Sequence, residues 1–351
     1  MANRINRQTE LDLLKICAFI CVVCLHVAAE LWFAIPVKTW QWQVANIFRG
    51  TWGVPVFVMV TGRFLLAPER SVDDKKLGKY FMRAVIAFLV WSAIYEGYRI
   101  VFTGLSQGID SINWKWELVE FMDGEFHLWY LPMLTGLYLV TPFLRKICQD
   151  IKLMRWYVLL FFVMESLTRY GVKLPMVGVL LQPVMENMMF RFALGYTGYM
   201  VLGYYLSKEN ISEKVERGLY IVGILCLIMA PAANSLFTMR RGEYVAEFSA
   251  ELTPNMILAS AAMYTFFCKR VSKMKFSEKA AAWISKLAEL GFGAYLIHAL
   301  FINIVTDFIG VEFQVGNPLF WIPVLTVLVA AISLICAAVI RKIPKIGTFI
   351  A

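Results

Sequence analysis

Charged side chains are scarce in this sequence. Asp, Glu, Lys and Arg make up only 17% of its 351 residues, whereas 60% are hydrophobic. A soluble domain typically has about 25% charged and about 45 to 50% apolar residues, so this composition excludes an ordinary soluble enzyme. The apolar residues fall in blocks of about 20, the length that an α-helix needs to cross about 30 Å of hydrocarbon. The composition therefore predicts a polytopic, all-α membrane protein.

Histidine is rare, and linkers and repeats are absent. The chain has three histidines and seven cysteines, and most of the cysteines lie within apolar runs. This placement predicts buried thiols rather than a disulfide or a metal cluster. No internal repeat, low-complexity tract or Gly/Ser-rich linker interrupts the sequence. We therefore expect one transmembrane domain over residues 1–351, with no soluble domain and no bound metal.

Apolar runs bounded by charge predict about ten membrane-spanning helices. They lie at residues 11–33, 51–67, 80–102, 127–144, 156–170, 188–206, 219–237, 252–268, 288–309 and 319–340. In the loops and tails, 23 Lys and Arg lie on one side of such a bundle and six on the other. Because Lys and Arg near span ends stay in the cytoplasm, both termini are expected there. The net charge of +9 then reflects membrane topology, and no nucleic-acid partner is expected.

The first span carries a narrow stripe of ionisable side chains. At about 100° per residue, Asp12, Lys15, His26 and Glu30 share an arc of about 60°, opposite the cysteines of this span. Such groups cost about 2.5 to 3.5 kcal/mol each inside a membrane, so they are candidates for function and should face the protein interior. Glu30 follows His26 by one turn, where a carboxylate can orient an imidazole and raise its basicity. The alternative is a histidine that only hydrogen-bonds a neighbouring helix.

Basic residues cluster just inside the predicted membrane, in the loop before the third span. Lys79 and Arg83 lie one helical turn apart, after Lys75 and Lys76. That spacing suits the phosphates of a cytoplasmic nucleotide-bearing donor. The alternative interpretation is that these residues are only positive-inside anchors. The second span mixes Gly, Pro and Thr with bulky residues, which indicates either a ligand or another helix at close range.

The fourth span begins and ends with polar and aromatic side chains. At helical spacing these share an arc of about 80° and predict a second polar wall. They are His127, Tyr130, Tyr138, Thr141 and Arg145. In the ninth span, His298 lies near the middle of the membrane, where a structural hydrogen bond is its expected role.

Two further groups lie on the predicted outer side. Four charged residues there either line an acceptor pocket or pair with one another. They are Glu165, Arg169, Glu186 and Arg191. The outer loop 103–126 holds Trp114 and Trp116 among acidic residues, and is expected to form an interfacial helix or a lid over a substrate groove.

Five of these motifs, in this order over nearly the whole chain, resemble the acyltransferase-3 family of ten-span bacterial membrane acyltransferases. The similarity is greatest to members that O-acetylate cell-surface polysaccharides. The motifs are Leu11-Asp12-Leu13-Leu14-Lys15-Ile16 followed by His26, Val54-Pro55-Val56-Phe57 followed by Thr61-Gly62, Lys79 with Arg83, His127-Leu128-Trp129-Tyr130-Leu131, and Tyr295-Leu296-Ile297-His298. The family typically has Arg, Arg and Ser at the positions of Lys15, Lys79 and Thr61. A lysine keeps the charge there but cannot bind a phosphate in a bidentate manner.

The resemblance implies a bacterial inner-membrane, multi-pass enzyme. It would take an acetyl or similar group from cytoplasmic acetyl-CoA and pass it to a hydroxyl of an extracytoplasmic acceptor, such as a cell-surface glycan. The predicted catalytic residues are His26, as general base or acyl carrier, with Glu30 and His127. The predicted phosphate-binding residues are Lys15, Lys79, Arg83 and Arg63. The predicted acceptor-binding residues are Glu165, Arg191, Tyr130 and Trp129.

Two other functions also suit this sequence. Polar stripes and a broken second helix are found in secondary transporters of small polar substrates such as amino acids, although the two halves of the chain show no repeat. A non-catalytic sensor or assembly protein of the envelope is the other. The acceptor, the acyl group and the oligomeric state, including a homodimer, are left open, and membrane lipids are the expected surroundings.

Overall fold

The computed structural model describes residues 8–70, 72–173, 175–188, 195–344 and 346–351. Within these ranges the chain forms helices and no β-strand, which confirms the all-α prediction. The helices are α1 (Thr9–Ala34), α2 (Trp40–Ile47), α3 (Gly53–Leu65), α4 (Asp74–Gln107), α5 (Trp114–Asp123), α6 (Tyr130–Ile147), α7 (Ile151–Leu160), α8 (Thr168–Gly171), α9 (Pro175–Met188), α10 (Gly195–Lys208), α11 (Glu213–Arg241), α12 (Pro254–Lys269), α13 (Glu278–Ile309), α14 (Glu312–Gly316), α15 (Pro318–Ile340) and α16 (Gly347–Ile350).

In the part of the chain that the structure describes, five helices are long and apolar enough to cross a membrane. They are α1, α4, α11, α13 and α15. The other predicted spans also fall on helices where the structure describes them, but α3 has only 13 residues and α12 only 16. Segment 156–170 lies on one continuous helix, in which π-helical turns at Phe161–Leu167 join α7 to α8.

The long helices begin and end where their terminal residues satisfy the backbone. The side chains of Asp73, Ser212 and Ser277 accept hydrogen bonds from free amides at the starts of α4, α11 and α13. Helix α11 ends at Gly242, whose φ of 72° lies in the left-handed region that glycine adopts without strain.

Helix α1 lies at the centre of the bundle, in contact with α2, α3, α13 and α15. We call the end of the bundle where α1 begins the proximal end, and the end where α1 stops the distal end. The predicted polar stripe of α1 faces α13 along its length. Asp12 accepts a hydrogen bond from Ser285 of α13, and Glu30 accepts one from Thr306 near the distal end of the same helix. The prediction that the stripe faces the protein interior is therefore confirmed.

Helices α3 and α10 pack with their backbones almost in contact. A Cβ atom added at Gly62 would collide with the carbonyl of Met200, and one at Gly203 would collide with the backbone of Met59. Thr61, next to this contact, donates its hydroxyl to the carbonyl of Phe57 in its own helix. The glycine of this motif is therefore explained by close helix packing, without a ligand.

Helix α5 forms within segment 103–126, for which the sequence predicted either an interfacial helix or a lid. It packs against α4, where Arg99 forms ion pairs with Glu96, Glu117 and Glu120. Trp114 and Trp116 are exposed. The loop that follows α5, rather than α5 itself, reaches the residues described next.

Candidate functional site

All three histidines of the chain meet at one place, which we call the histidine centre (His26, His127 and His298). The rings of His26 and His298 are stacked, with centroids 5.1 Å apart. The His127 ring lies edge-on to both, at 4.9 Å from His298 and 6.4 Å from His26. His127 and His298 are fully buried, whereas His26 is only half-buried.

Hydrogen bonds fix which ring nitrogens carry protons. Nδ1 of His298 lies 2.5 Å from the carbonyl oxygen of Tyr295. A carbonyl only accepts, so this nitrogen carries the proton, and Nε2 of a neutral His298 is left as an acceptor. Nε2 of His298 lies 2.8 Å from Nδ1 of His26, which therefore donates. The chain of bonds leaves the lone pair of His26 on its Nε2 atom.

That Nε2 atom is open. It makes no hydrogen bond to the described residues, and it is not fully buried. A neutral imidazole nitrogen with an accessible lone pair is what a general base or a nucleophilic acyl carrier requires.

The structure corrects the predicted orientation of His26 by Glu30. The Glu30 carboxylate accepts a hydrogen bond of 3.2 Å from the hydroxyl of Thr306. The ring that holds His26 is His298, for which the sequence predicted a structural hydrogen bond. That bond exists, and the residue it reaches is the candidate base.

His127 is held by a similar arrangement. Its Nε2 atom lies 3.2 Å from the carbonyl of Leu296, so this nitrogen carries the proton. Its Nδ1 atom is buried without a hydrogen-bond partner in the described chain. Tyr295 donates its hydroxyl to the backbone carbonyl of His127, and Tyr95 donates to the Leu296 carbonyl at 2.8 Å. When neutral, the histidine centre therefore has two unprotonated nitrogens that accept no hydrogen bond from the described residues, one open on His26 and one enclosed on His127.

Phe126 covers the histidine centre on one side. Its ring meets that of His26 edge-on, with centroids 4.9 Å apart, and half of the side chain is exposed. The preceding Gly124 has a φ of 78°, and a Cβ atom there would lie 2.9 Å from the ring of Phe88. Glycine therefore permits the tight turn that carries Phe126 over His26.

A cavity of about 350 Å³ approaches the histidine centre from the proximal end. It lies between α1, α3, α13 and α15, and its walls are mostly apolar. Lys15 lines its proximal part, and Tyr130 and Tyr295 line its other end. The histidines themselves do not line it. The Tyr295 ring lies between the cavity and His298, with centroids 5.6 Å apart, so the cavity stops one ring short of the centre.

The predicted phosphate-binding residues are only partly brought together. Lys15 lines the cavity, and Asp12 holds its ammonium at 2.8 Å. Arg83 stacks at 4.5 Å on Phe292, a cavity-lining ring, and donates to the Ala351 carbonyl at 3.3 Å. Lys79 is exposed on the preceding turn of α4. Arg63 does not line the cavity, because its guanidinium reaches Sγ of Cys268 on α12 at 3.1 Å.

The predicted acceptor residues lie in different surroundings. Tyr130 is at the end of the cavity, and Trp129 packs at 5.5 Å against the ring of Tyr196. Glu165 is buried within the π-helical turns and forms an ion pair with Arg169. Arg191, and the side chain of Glu186, lie outside the described residues.

Comparison with known proteins identifies the family of the chain. No curated protein and no solved structure matched the chain. A family model described as an acyltransferase domain matches residues 8–340, nearly the whole chain. The chain with this histidine centre therefore belongs to the acyltransferase-3 family, and is a membrane acyltransferase.

Proposed function

We propose that this protein transfers an acetyl or similar acyl group from cytoplasmic acyl-CoA to a hydroxyl of an extracytoplasmic acceptor, namely a cell-surface glycan. The observation that carries the proposal is the open Nε2 lone pair of His26. Its position follows from the bonded chain Tyr295–His298–His26. A general base for hydroxyl attack needs this atom and this protonation state.

The proximal cavity is the proposed path of the donor. A volume of about 350 Å³ with apolar walls lies within the range of small-molecule sites and suits the uncharged arm of CoA. Lys15 at its mouth, with Arg83 and Lys79 nearby, would hold the phosphates. Arg63 is engaged elsewhere, so we assign it no contact with the donor.

In the proposed reaction, the proton and the leaving group are both accepted by His26 or by the substrates. Nε2 of His26 takes the proton of the acceptor hydroxyl as its oxygen attacks the thioester carbon. The C–O bond forms, the C–S bond breaks, and the imidazolium returns the proton to the departing CoA thiolate. If His26 carries the acyl group instead, Nε2 first bonds to the thioester carbon as the C–S bond breaks and CoA leaves as the thiolate. The acceptor oxygen then bonds to that carbon as the N–C bond breaks, and the freed Nε2 takes the hydroxyl proton, which ends on the thiolate. His298 serves both routes, because it keeps the other nitrogen protonated.

Two aromatic rings at the end of the cavity block the direct path of the donor to His26. Tyr130 and Tyr295 separate the cavity from the histidine centre, so a thioester must displace at least one of them to reach His26. Phe126 similarly covers the other approach. Both layers exclude water from a reactive acyl group, which hydrolysis would otherwise consume.

The proposed membrane arrangement has ten spans, both termini in the cytoplasm and the distal end outside. It rests on the excess of Lys and Arg in alternate loops. The proximal end then faces the cytoplasm, where acyl-CoA is present, and the location is the inner membrane of a bacterium. Trp129 and Tyr196 would offer aromatic faces to a sugar on the outer side.

Release of free CoA from acetyl-CoA by the purified protein tests the proposal. The wild type should consume acetyl-CoA, and His26→Gln should lower the rate by about 100-fold or more. The matched control is Leu25→Met, on the same helix but outside the polar stripe and in none of the cavities described, which should keep the rate. Uptake of an amino acid into vesicles without acyl-CoA consumption would instead establish a transporter. Mass differences of surface glycans with and without the protein identify the acyl group and acceptor.

A further inference from the structure

A second cavity lies on the opposite face of α1 from the histidine centre. It has a volume of about 500 Å³ and is lined by Cys17, Cys21 and Cys24 together with side chains of α11, α12 and α15. Ile47 and Val327 on its rim are exposed by 64% and 65%. Val327 lies on α15, a helix long and apolar enough to span a membrane, and exposed apolar side chains on such a helix are expected to face lipid. On that basis the cavity is a groove that opens sideways to the hydrocarbon. We call it the cysteine groove.

A third cavity, of about 460 Å³, adjoins the groove at the distal end and has a polar lining. Arg49 lines both spaces. The other charged groups of the polar cavity are largely paired, because Arg169 binds Glu165 and Lys173 binds Glu247 at 2.7 Å. We call this space the distal polar cavity.

Arg49 is a partly buried cation without an anion at contact distance in the described chain. Its guanidinium stacks 4.2 Å from the Trp32 ring and 5.2 Å from the Tyr244 ring. Its Nε and Nη1 atoms are buried and make no hydrogen bond among the described residues. Burial lowers the pKa of Arg49 to about 10, so it remains charged at neutral pH. A partly buried charge of this kind is costly unless an anion compensates it.

Glu251 is the acidic neighbour that acts on Arg49. It lines the distal polar cavity, and burial raises the pKa of its carboxyl, although Arg49 and Arg169 oppose this rise. Its negative charge weakens the attraction of Arg49 for another anion, and its protonation restores it. The pair does not form an ion pair within 4 Å, which leaves the guanidinium available to a ligand.

We propose that the cysteine groove and Arg49 together form a binding site for a lipid with a phosphate headgroup. The hydrocarbon chain occupies the groove, the phosphate contacts Arg49, and the rest of the headgroup enters the distal polar cavity. An apolar channel that opens to the bilayer and ends at a cation matches an amphiphile and does not match a soluble anion. This site is separate from the histidine centre and does not depend on the proposed acyl transfer.

Native mass spectrometry of the detergent-purified full-length protein tests the site. The probes are dioleoyl phosphatidic acid, dioleoylglycerol and inorganic phosphate. Arg49→Gln should weaken phosphatidic acid binding by about tenfold or more and leave dioleoylglycerol unchanged, because a charge-assisted contact is lost. The control is Arg241→Gln, an exposed arginine that lines neither cavity, which should change binding less than about twofold.

Leu227→Trp provides a second variant that keeps Arg49 and fills the groove. It should weaken phosphatidic acid and dioleoylglycerol alike, and thermal unfolding establishes that both variants are folded. Equal effects of Arg49→Gln and Arg241→Gln would overturn the phosphate contact. Unchanged binding in Leu227→Trp would overturn the groove, and inorganic phosphate bound as tightly as phosphatidic acid would assign Arg49 to a soluble anion.

Discussion

His298 is predicted to control acyl transfer through a single hydrogen bond. Its Nε2 atom accepts from Nδ1 of His26 at 2.8 Å, in a place where the His298 ring is fully buried. His298→Leu removes the acceptor and leaves a donor of His26 without a partner. It also permits His26 to place its proton on Nε2, where the lone pair is needed.

The size of the effect follows from the cost of an unpaired donor. Leaving one buried polar group unsatisfied costs about 1 to 3 kcal/mol. If this cost falls on the reactive arrangement, kcat/KM drops by roughly 5-fold to 160-fold. His298→Gln can place an amide oxygen near the position of Nε2, so it should retain activity within about fivefold of the wild type.

The assay is CoA release from acetyl-CoA by purified wild type, His298→Leu and His298→Gln, with kcat and KM determined separately. The loss in the leucine variant should appear in kcat, since the donor path does not include His298. Equal activity of all three proteins would refute the assignment of His298 as the orienting residue. A glutamine variant as slow as the leucine variant would show that a hydrogen-bond acceptor at residue 298 does not control the rate of acyl transfer.

Three further predictions concern packing, titration and access. Gly62→Ala should destabilise the protein by about 1 to 3 kcal/mol because its Cβ meets backbone, whereas Gly78→Ala, in open space, should not; thermal unfolding in detergent measures both. Burial raises the pKa of the Glu251 carboxyl, so the folded state holds its proton more tightly than the unfolded state, and stability falls as the pH rises through the folded pKa. The melting temperature of Glu251→Gln should therefore exceed that of the wild type at about pH 8 but not at about pH 4. Phe126→Ala uncovers His26 and should raise hydrolysis of acetyl-CoA relative to acyl transfer. The ratio of CoA release to acylated product measures this change. An unchanged ratio would show that Phe126 does not exclude water.

The local pattern of the first span was enough to predict its polar stripe. The 60° arc of Asp12, Lys15, His26 and Glu30 required only helical geometry, and the structure places Asp12, His26 and Glu30 against α13. The partner of His26 was not predictable in this way. Whether His26 meets Glu30 or His298 depends on the register of α1 against α13, which is set by packing across 272 residues of sequence.

The residues that line each cavity were also not predictable from the local sequence. Lys15 and Tyr130 belong to separate motifs, yet they line opposite parts of one space. Arg63 was grouped with the phosphate-binding residues because of its charge, but the approach of α12 directs it to Cys268. Arg49, between α2 and α3, was not predicted as a site residue, because its lack of an anion at contact distance appears only once Trp32 and Tyr244 pack around it.

The sidedness of acyl transfer, measured in sealed vesicles that contain the protein in one known orientation, tests the proposed transmembrane route most directly. Labelled acetyl-CoA is added to the face that exposes Lys79, and a hydroxyl acceptor is enclosed on the other. Acylated acceptor should form across the membrane with the wild type and should be absent with His26→Gln. Product that forms only when donor and acceptor share one face would contradict a transmembrane route through His26.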